Sequence, residues 1–276
     1  MKFLRLLRRD INLGTVRRLF MYIIPVVIAY MQVSECNKLY VSFLNDGTLT
    51  APATVIDYLM YCTQGMFIFH FDPSQHFVIP IYWFLFFISI SYIIAYYAHD
   101  DYESNGRNVY LAVGNRRSWW NAKCVWCILS VVVYYIAYLA GIALLTLIKG
   151  GKLSLTCNRK FVDIVLSNNA SALSIKEIMI IMVLLPLLIV SGMCLVQMFM
   201  GFIVTPIASF AIISGVYVVS AYYTVWWLPG NYTMWLRSSL INEEGVRPVS
   251  GIVYGFIMMF IAWYGGRSYF ENADVM

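Results

Sequence analysis

Six long apolar runs, parted by polar stretches, organise this chain. They fall at residues 19–36, 77–98, 122–148, 178–199, 203–223 and 249–266. Each predicts a membrane-crossing helix, because roughly 20 apolar residues rising about 1.5 Å each span about 30 Å of hydrocarbon. Pro80 sits near the start of the second run, where a missing N–H costs least. Lys123 opens the third, at a level where its long stem can snorkel to the interface. An uncharged turn containing Gly201 joins the fourth and fifth.

The polar stretches complete the pattern. Residues 34–75 carry Glu35, Lys38, Asp46, Asp57 and Asp72 and are excluded from hydrocarbon; within them Val55, Leu59 and Met60 predict a short amphipathic helix beside Asp57. Residues 224–248 read as a wet loop. At the start of the chain, Leu4, Leu7 and Ile11 share a face while Arg5, Arg8 and Arg9 reach for phosphates, the pattern of a helix lying on a membrane surface rather than of a cleaved signal peptide. The expected fold is therefore a single all-α membrane domain over 1–276, with six transmembrane helices and an N-terminal amphipathic interfacial helix.

Composition and charge sharpen that picture. Hydrophobic residues make up 61% and charged ones 12%, with a mean hydropathy of +0.72, whereas soluble domains carry about 25% charged residues. The net charge of +5 fits loops facing an anionic leaflet and needs no nucleic acid. Six crossings put both termini on one face, which then holds eleven lysines and arginines against eight on the other; both termini are expected in the cytoplasm.

Candidate chemistry is mostly excluded. A phosphate-cradling P-loop needs two glycines in fixed register before Lys and Ser or Thr; Gly150-Gly151-Lys152-Leu153-Ser154 lacks that spacing. If ATP with Mg²⁺ is used, another polypeptide binds it, and no cofactor belongs to this chain. No Asp, Glu or His falls mid-span, which disfavours an intramembrane protease or a proton-coupled carrier. Asp100, Asp101 and Glu103 are a thin candidate for a membrane-bound enzyme. Cys124 and Cys127 read as core, no cysteine and histidine cluster suggests a metal, and a disulfide among Cys36, Cys62 and Cys157 is open. Trp226, Trp227, Tyr232 and Trp235, with Arg237, read either as interfacial anchors or as the floor of an outer vestibule for an amphiphile.

Residues 99–123 read HDDYESNGRNVYLAVGNRRSWWNAK. This stretch resembles the cytoplasmic segment between the second and third helices of ABC transporter type-2 permeases. Asp10 in the basic start, Phe77-Val-Ile-Pro80 before Trp83, Leu228-Pro-Gly-Asn-Tyr-Thr-Met234 and the Gly265, Gly266, Phe270 and Asp274 ending are similar to the small permeases of bacterial bacteriocin or lantibiotic export and immunity; Gly114 departs from the pattern. The resemblance implies a cytoplasmic coupling helix between helices 2 and 3, within about 102–115, carried by Tyr102, Glu103, Gly106, Arg107, Tyr110 and Asn115, with Arg116 and Arg117 anchoring the return into lipid. It further implies a separate ABC ATPase subunit in two copies, a second permease, identical or homologous, and a place in the bacterial plasma membrane. The bland alternatives are a basic loop obeying topology and a membrane protein that sequesters a peptide without pumping.

Overall fold

The structure, a computed structural model, describes residues 2–71, 76–102, 116–167 and 169–272. Among them the secondary structure is helical, with no strand beyond two isolated bridges. The helices are α1 (Lys2–Asp10), α2 (Ile24–Asn45), α3 (Val55–Thr63), α4 (Ile81–Asp101), α5 (Arg116–Ile148), α6 (Arg159–Val165), α7 (Ile175–Ile203), α8 (Pro206–Tyr222) and α9 (Pro248–Asn272). Helices α2, α4, α5, α7, α8 and α9 run alternately between two ends of one bundle. One end carries α1, the other α3.

Five helical stretches are long and apolar enough to cross a membrane: Phe3–Asn45, α4, α5, α7 and Pro248–Glu271. This makes the chain a multi-pass membrane protein. Helix α8 has 17 residues, about 25 Å at the usual rise, the lower limit for crossing roughly 30 Å of hydrocarbon; the fifth apolar run thus yields an apolar helix shorter than the five spanning stretches. The outward side of α9, with Val249, Val253, Phe256, Phe260 and Ile261 exposed, is not covered by any of the described residues, as expected of a surface that lipid solvates.

Several boundaries differ from the apolar pattern. The first run continues to Asn45 instead of ending at 36, because Val33, Cys36 and Tyr40 bury against the bundle and carry the helix past Glu35 and Lys38. Its beginning is broken: a π turn at Ile11–Thr15 leads into 3-10 turns at Val16–Ile23, and Arg18 leaves helical geometry (φ −111°, ψ 19°). Helix α5 is already helical at Arg116, before the expected 122, since Trp119 and Trp120 pack into the core. Helices α7 and α8 are joined at once, where Thr205 accepts a hydrogen bond from the Ala208 N–H (3.1 Å) and Pro206 occupies the first turn.

The short helix α3 forms where expected, closed by a capping box: the Asp57 N–H donates to the Thr54 hydroxyl (3.3 Å) and the Thr54 N–H to the Asp57 carboxylate (2.9 Å). It is buried, however, with Trp235 donating to the Met60 carbonyl (3.0 Å) and the Asn158 N–H to Asp57 (2.7 Å). Within residues 224–248 the wet-loop expectation holds at Trp226, Trp227, Glu243, Glu244 and Arg247, which are exposed, and fails in the middle of the stretch. Its 3-10 turns at Pro229–Thr233 and Trp235–Arg237 are buried among α3, α8 and the start of α9. All six cysteines are free thiols, so Cys36, Cys62 and Cys157 form no disulfide here.

Candidate functional site

Lys123 is the most informative side chain at the α1 end. Expected to snorkel, it is instead fully buried. About two turns inside the start of α5, its Nζ lies 2.8 Å from Asp10 Oδ1 and 2.6 Å from Asp101 Oδ2. Asp10 closes α1 and Asp101 closes α4, so one ammonium joins three elements. Arg9 grips the same Asp101 carboxylate, and the Tyr97 hydroxyl donates to Asp10 (3.0 Å). The Tyr97 ring lies 4.5 Å from Nζ and the Trp119 ring 5.5 Å, completing an aromatic wall.

The arrangement contains two cations and two carboxylates, so it is neutral as a unit. That neutrality is what makes its burial tolerable, because a buried charge survives only when paired and hydrogen-bonded. A second tie lies deeper: Trp126 Nε1 donates to the Thr15 hydroxyl (3.2 Å), which sits 3.3 Å from Ser130. Gly14 permits this approach, since a Cβ there would come within 2.6 Å of the Trp126 ring. Arg18 and Asp100 approach to 3.7 Å at the surface, a weaker contact.

These residues bracket positions 103–115. Of the expected coupling residues, Glu103, Gly106, Arg107, Tyr110 and Asn115 lie outside the described residues. Tyr102, Arg116 and Arg117 are described. The Tyr102 ring meets Trp119, Phe202 and Phe270. Arg116 donates to the Glu271 carbonyl (3.3 Å), and Arg117 pairs with the Glu271 side chain, which also takes Arg267. On one side of the stretch Asp101 is thus tied to α1 and α5, and on the other Arg116 and Arg117 are tied to α9.

The sequence signals for this cluster were three isolated charges: an aspartate ending a basic amphipathic segment, an aspartate after the second apolar run and a lysine opening the third. Each alone reads as interfacial. Only the packing of α1 across the end of α4 and the start of α5 brings them together.

At the α3 end the expected vestibule residues part company. Trp226 and Trp227 are exposed, whereas Tyr232, Trp235 and Arg237 are buried. Arg237 has no carboxylate partner among the described residues. Its Nη1 donates to the Ser220 carbonyl (2.6 Å) and Asn231 Oδ1 (2.7 Å), Nη2 to the Ala221 (2.6 Å) and Phe67 (3.2 Å) carbonyls, and Nε to the Met66 carbonyl (3.3 Å). Ser220 and Ala221 end α8, where unsatisfied carbonyls carry the negative end of the helix dipole. Five donors meet five acceptors, so the guanidinium has nothing left for an anion. Burial lowers its pKa to about 10, still leaving it charged at neutral pH.

Trp226 and Trp227 instead flank a depression of about 420 Å³ with Glu244, Arg247 and Ser250. A small cavity of about 30 Å³ lies within the bundle, lined by Gln32, Tyr135 and Tyr138 among aromatic rings; Tyr138 donates to Gln32 Oε1 (2.6 Å) and Gln32 to the Cys62 carbonyl (2.8 Å). Among the described residues no group of three His, Cys, Asp or Glu is placed to hold a metal. Compared with protein-family models, with curated proteins and with solved structures, the chain gives no match.

Proposed function

We propose that this chain is the membrane-spanning subunit of an ABC exporter in a bacterial plasma membrane. In this reading it crosses six times with both termini in the cytoplasm, and a coupling helix within residues 102–115 seats in a separate ATPase. Two ATPase copies bind Mg-ATP, a second permease completes the path, and the cargo is an amphiphilic peptide or a lipid-like molecule. Glu103 and Arg107, four residues apart, would face the ATPase together on a helix.

The supporting observation is the buried Lys123, Asp10 and Asp101 cluster at the base of that stretch. A motor acting on soluble domains moves membrane helices only through an element held rigidly to them. Here both flanks of residues 103–115 are held by ion pairs to other elements. Spans without mid-membrane carboxylates or histidines also suit a path for an amphiphile better than one for a proton or small ion.

The test is reconstitution with the separate ABC ATPase that this reading requires. The joint substitution Glu103→Ala and Arg107→Ala is expected to lower both co-purification and ATP turnover at least tenfold. Unchanged assembly and turnover would overturn the coupling assignment, and so would labelling of residues 100–117 from outside intact cells.

A sequestering protein that binds a peptide without pumping is the second reading, favoured by the exposed Trp226 and Trp227 beside an open depression. It requires peptide resistance to persist when the separate ATPase is deleted; the exporter requires its loss.

A further inference from the structure

Three arginines in the first nine residues have different fates. Arg9 is committed to Asp101, but no carboxylate among the described residues lies within ion-pair distance of Arg5 or Arg8, and both are exposed. All three line an open depression of about 640 Å³ whose floor continues through Asn12 to Leu13 and Val16. Beyond it the outward side chains are Leu19, Phe20 and Ile23, all more than half exposed. The lining of the depression therefore passes from guanidinium, through one amide, to the apolar Leu13 and Val16, and the exposed apolar side chains resume after Arg17 and the break at Arg18.

We infer that this face is a docking site for an anionic phospholipid, its phosphate on Arg5 and Arg8 and an acyl chain along Leu13, Val16 and Phe20. Charge complementarity selects the headgroup: the Arg5 and Arg8 guanidiniums, with no carboxylate among the described residues within ion-pair distance, can hold a phosphate by forked hydrogen bonds. The apolar continuation selects a lipid over a free anion, which would leave that half uncovered. Because Arg9 lines the depression and also holds Asp101, the bound headgroup lies against the guanidinium that completes the buried cluster. The inference needs only the membrane placement of the chain and stands whether or not an ATPase drives it.

The experiment uses the full chain, stripped of lipid in a neutral detergent, with native mass spectrometry of added dioleoyl phosphatidylglycerol or phosphatidylcholine. Phosphatidylglycerol is expected to bind at least tenfold more tightly. Arg5→Gln with Arg8→Gln should weaken it by about 30-fold, since each basic residue near an anionic surface contributes a factor of several. Phosphatidylcholine binding should not change, and Arg5→Lys with Arg8→Lys should keep a preference for phosphatidylglycerol but bind it more weakly than the wild type, because an ammonium keeps the charge and loses the fork. Lys149→Gln, at the opposite end of the bundle, serves as the control and should leave it intact.

Equal binding of the two lipids would overturn the site. So would a preference that survives Arg5→Gln with Arg8→Gln, or one that Lys149→Gln abolishes. Displacement of phosphatidylglycerol by millimolar inorganic phosphate would show a general anion site and defeat the lipid assignment. Because Arg5 and Arg8 make no internal ion pair, their glutamine variants should keep the wild-type melting temperature.

Discussion

Among the described residues the bundle buries one full cation at each end and neutralises the two in opposite ways. Lys123 meets the carboxylates of Asp10 and Asp101, whereas Arg237 meets four backbone carbonyls and one side-chain amide. A carboxylate partner can be neutralised or moved away on its own element. A carbonyl at the end of α8 cannot leave without unwinding that helix. The α1 end is thus held by separable parts, and the α3 end by a rivet that fixes residues 66–67, α8 and the turn at Asn231 at once.

The largest effect expected from this contrast is Lys123→Met. It strands two buried carboxylates and should cost about 3–5 kcal/mol, read as a drop in the thermal midpoint in detergent. Adding Asp10→Asn restores neutrality, with Arg9 left on Asp101, and should recover at least half of the loss. No recovery would show that the cluster is held by shape rather than charge.

Arg237→Lys should cost about 2–3 kcal/mol, because an ammonium with three donors cannot reach five acceptors and leaves buried carbonyls unpaired. Here no second substitution should rescue, since four of the five partners are backbone carbonyls. Denaturant unfolding of Arg237→Lys paired with Asn231→Asp would break the comparison if it returned to wild-type stability.

Asp57→Asn should cost about 1–2 kcal/mol, because the amide cannot accept from the N–H groups of both Thr54 and Asn158. Burial raises the Asp57 pKa, so the folded state binds its proton more readily than the unfolded chain does. Its contribution to stability is therefore greatest below the ordinary carboxylate range and falls as pH rises through the raised pKa. Asp57→Asn should remove that slope from a pH series of thermal midpoints. The smallest effect belongs to Arg18→Gln, whose partner Asp100 is exposed at 3.7 Å; it should shift stability by less than about 1 kcal/mol and become undetectable in high salt.

The helices were legible because their signal is local. An apolar run of spanning length leaves its backbone no partner but itself, so α4, α5, α7 and α9 follow from composition alone, and the short helix at Asp57 from spacing. The ends of these elements were not legible. Whether a helix continues past Glu35, or begins before Trp119, depends on what packs against Cys36, Tyr40 and Trp120, and those neighbours are distant in sequence. The exposed pair Trp226 and Trp227 and the buried trio Tyr232, Trp235 and Arg237 likewise share one composition and separate only when α3 and α8 close over the second group.

What the sequence determined by itself is that this chain is a lipid-solvated helical protein with a basic amphipathic start, since hydropathy and charge are properties of each segment taken singly. What only the tertiary structure decided is which charges enter the interior. Asp10, Asp101 and Lys123 stand 91 and 22 residues apart along the chain, and each would be tolerated at an interface. Burial became favourable only when packing brought them within hydrogen-bonding reach, because a charge leaves water only where its partners already wait.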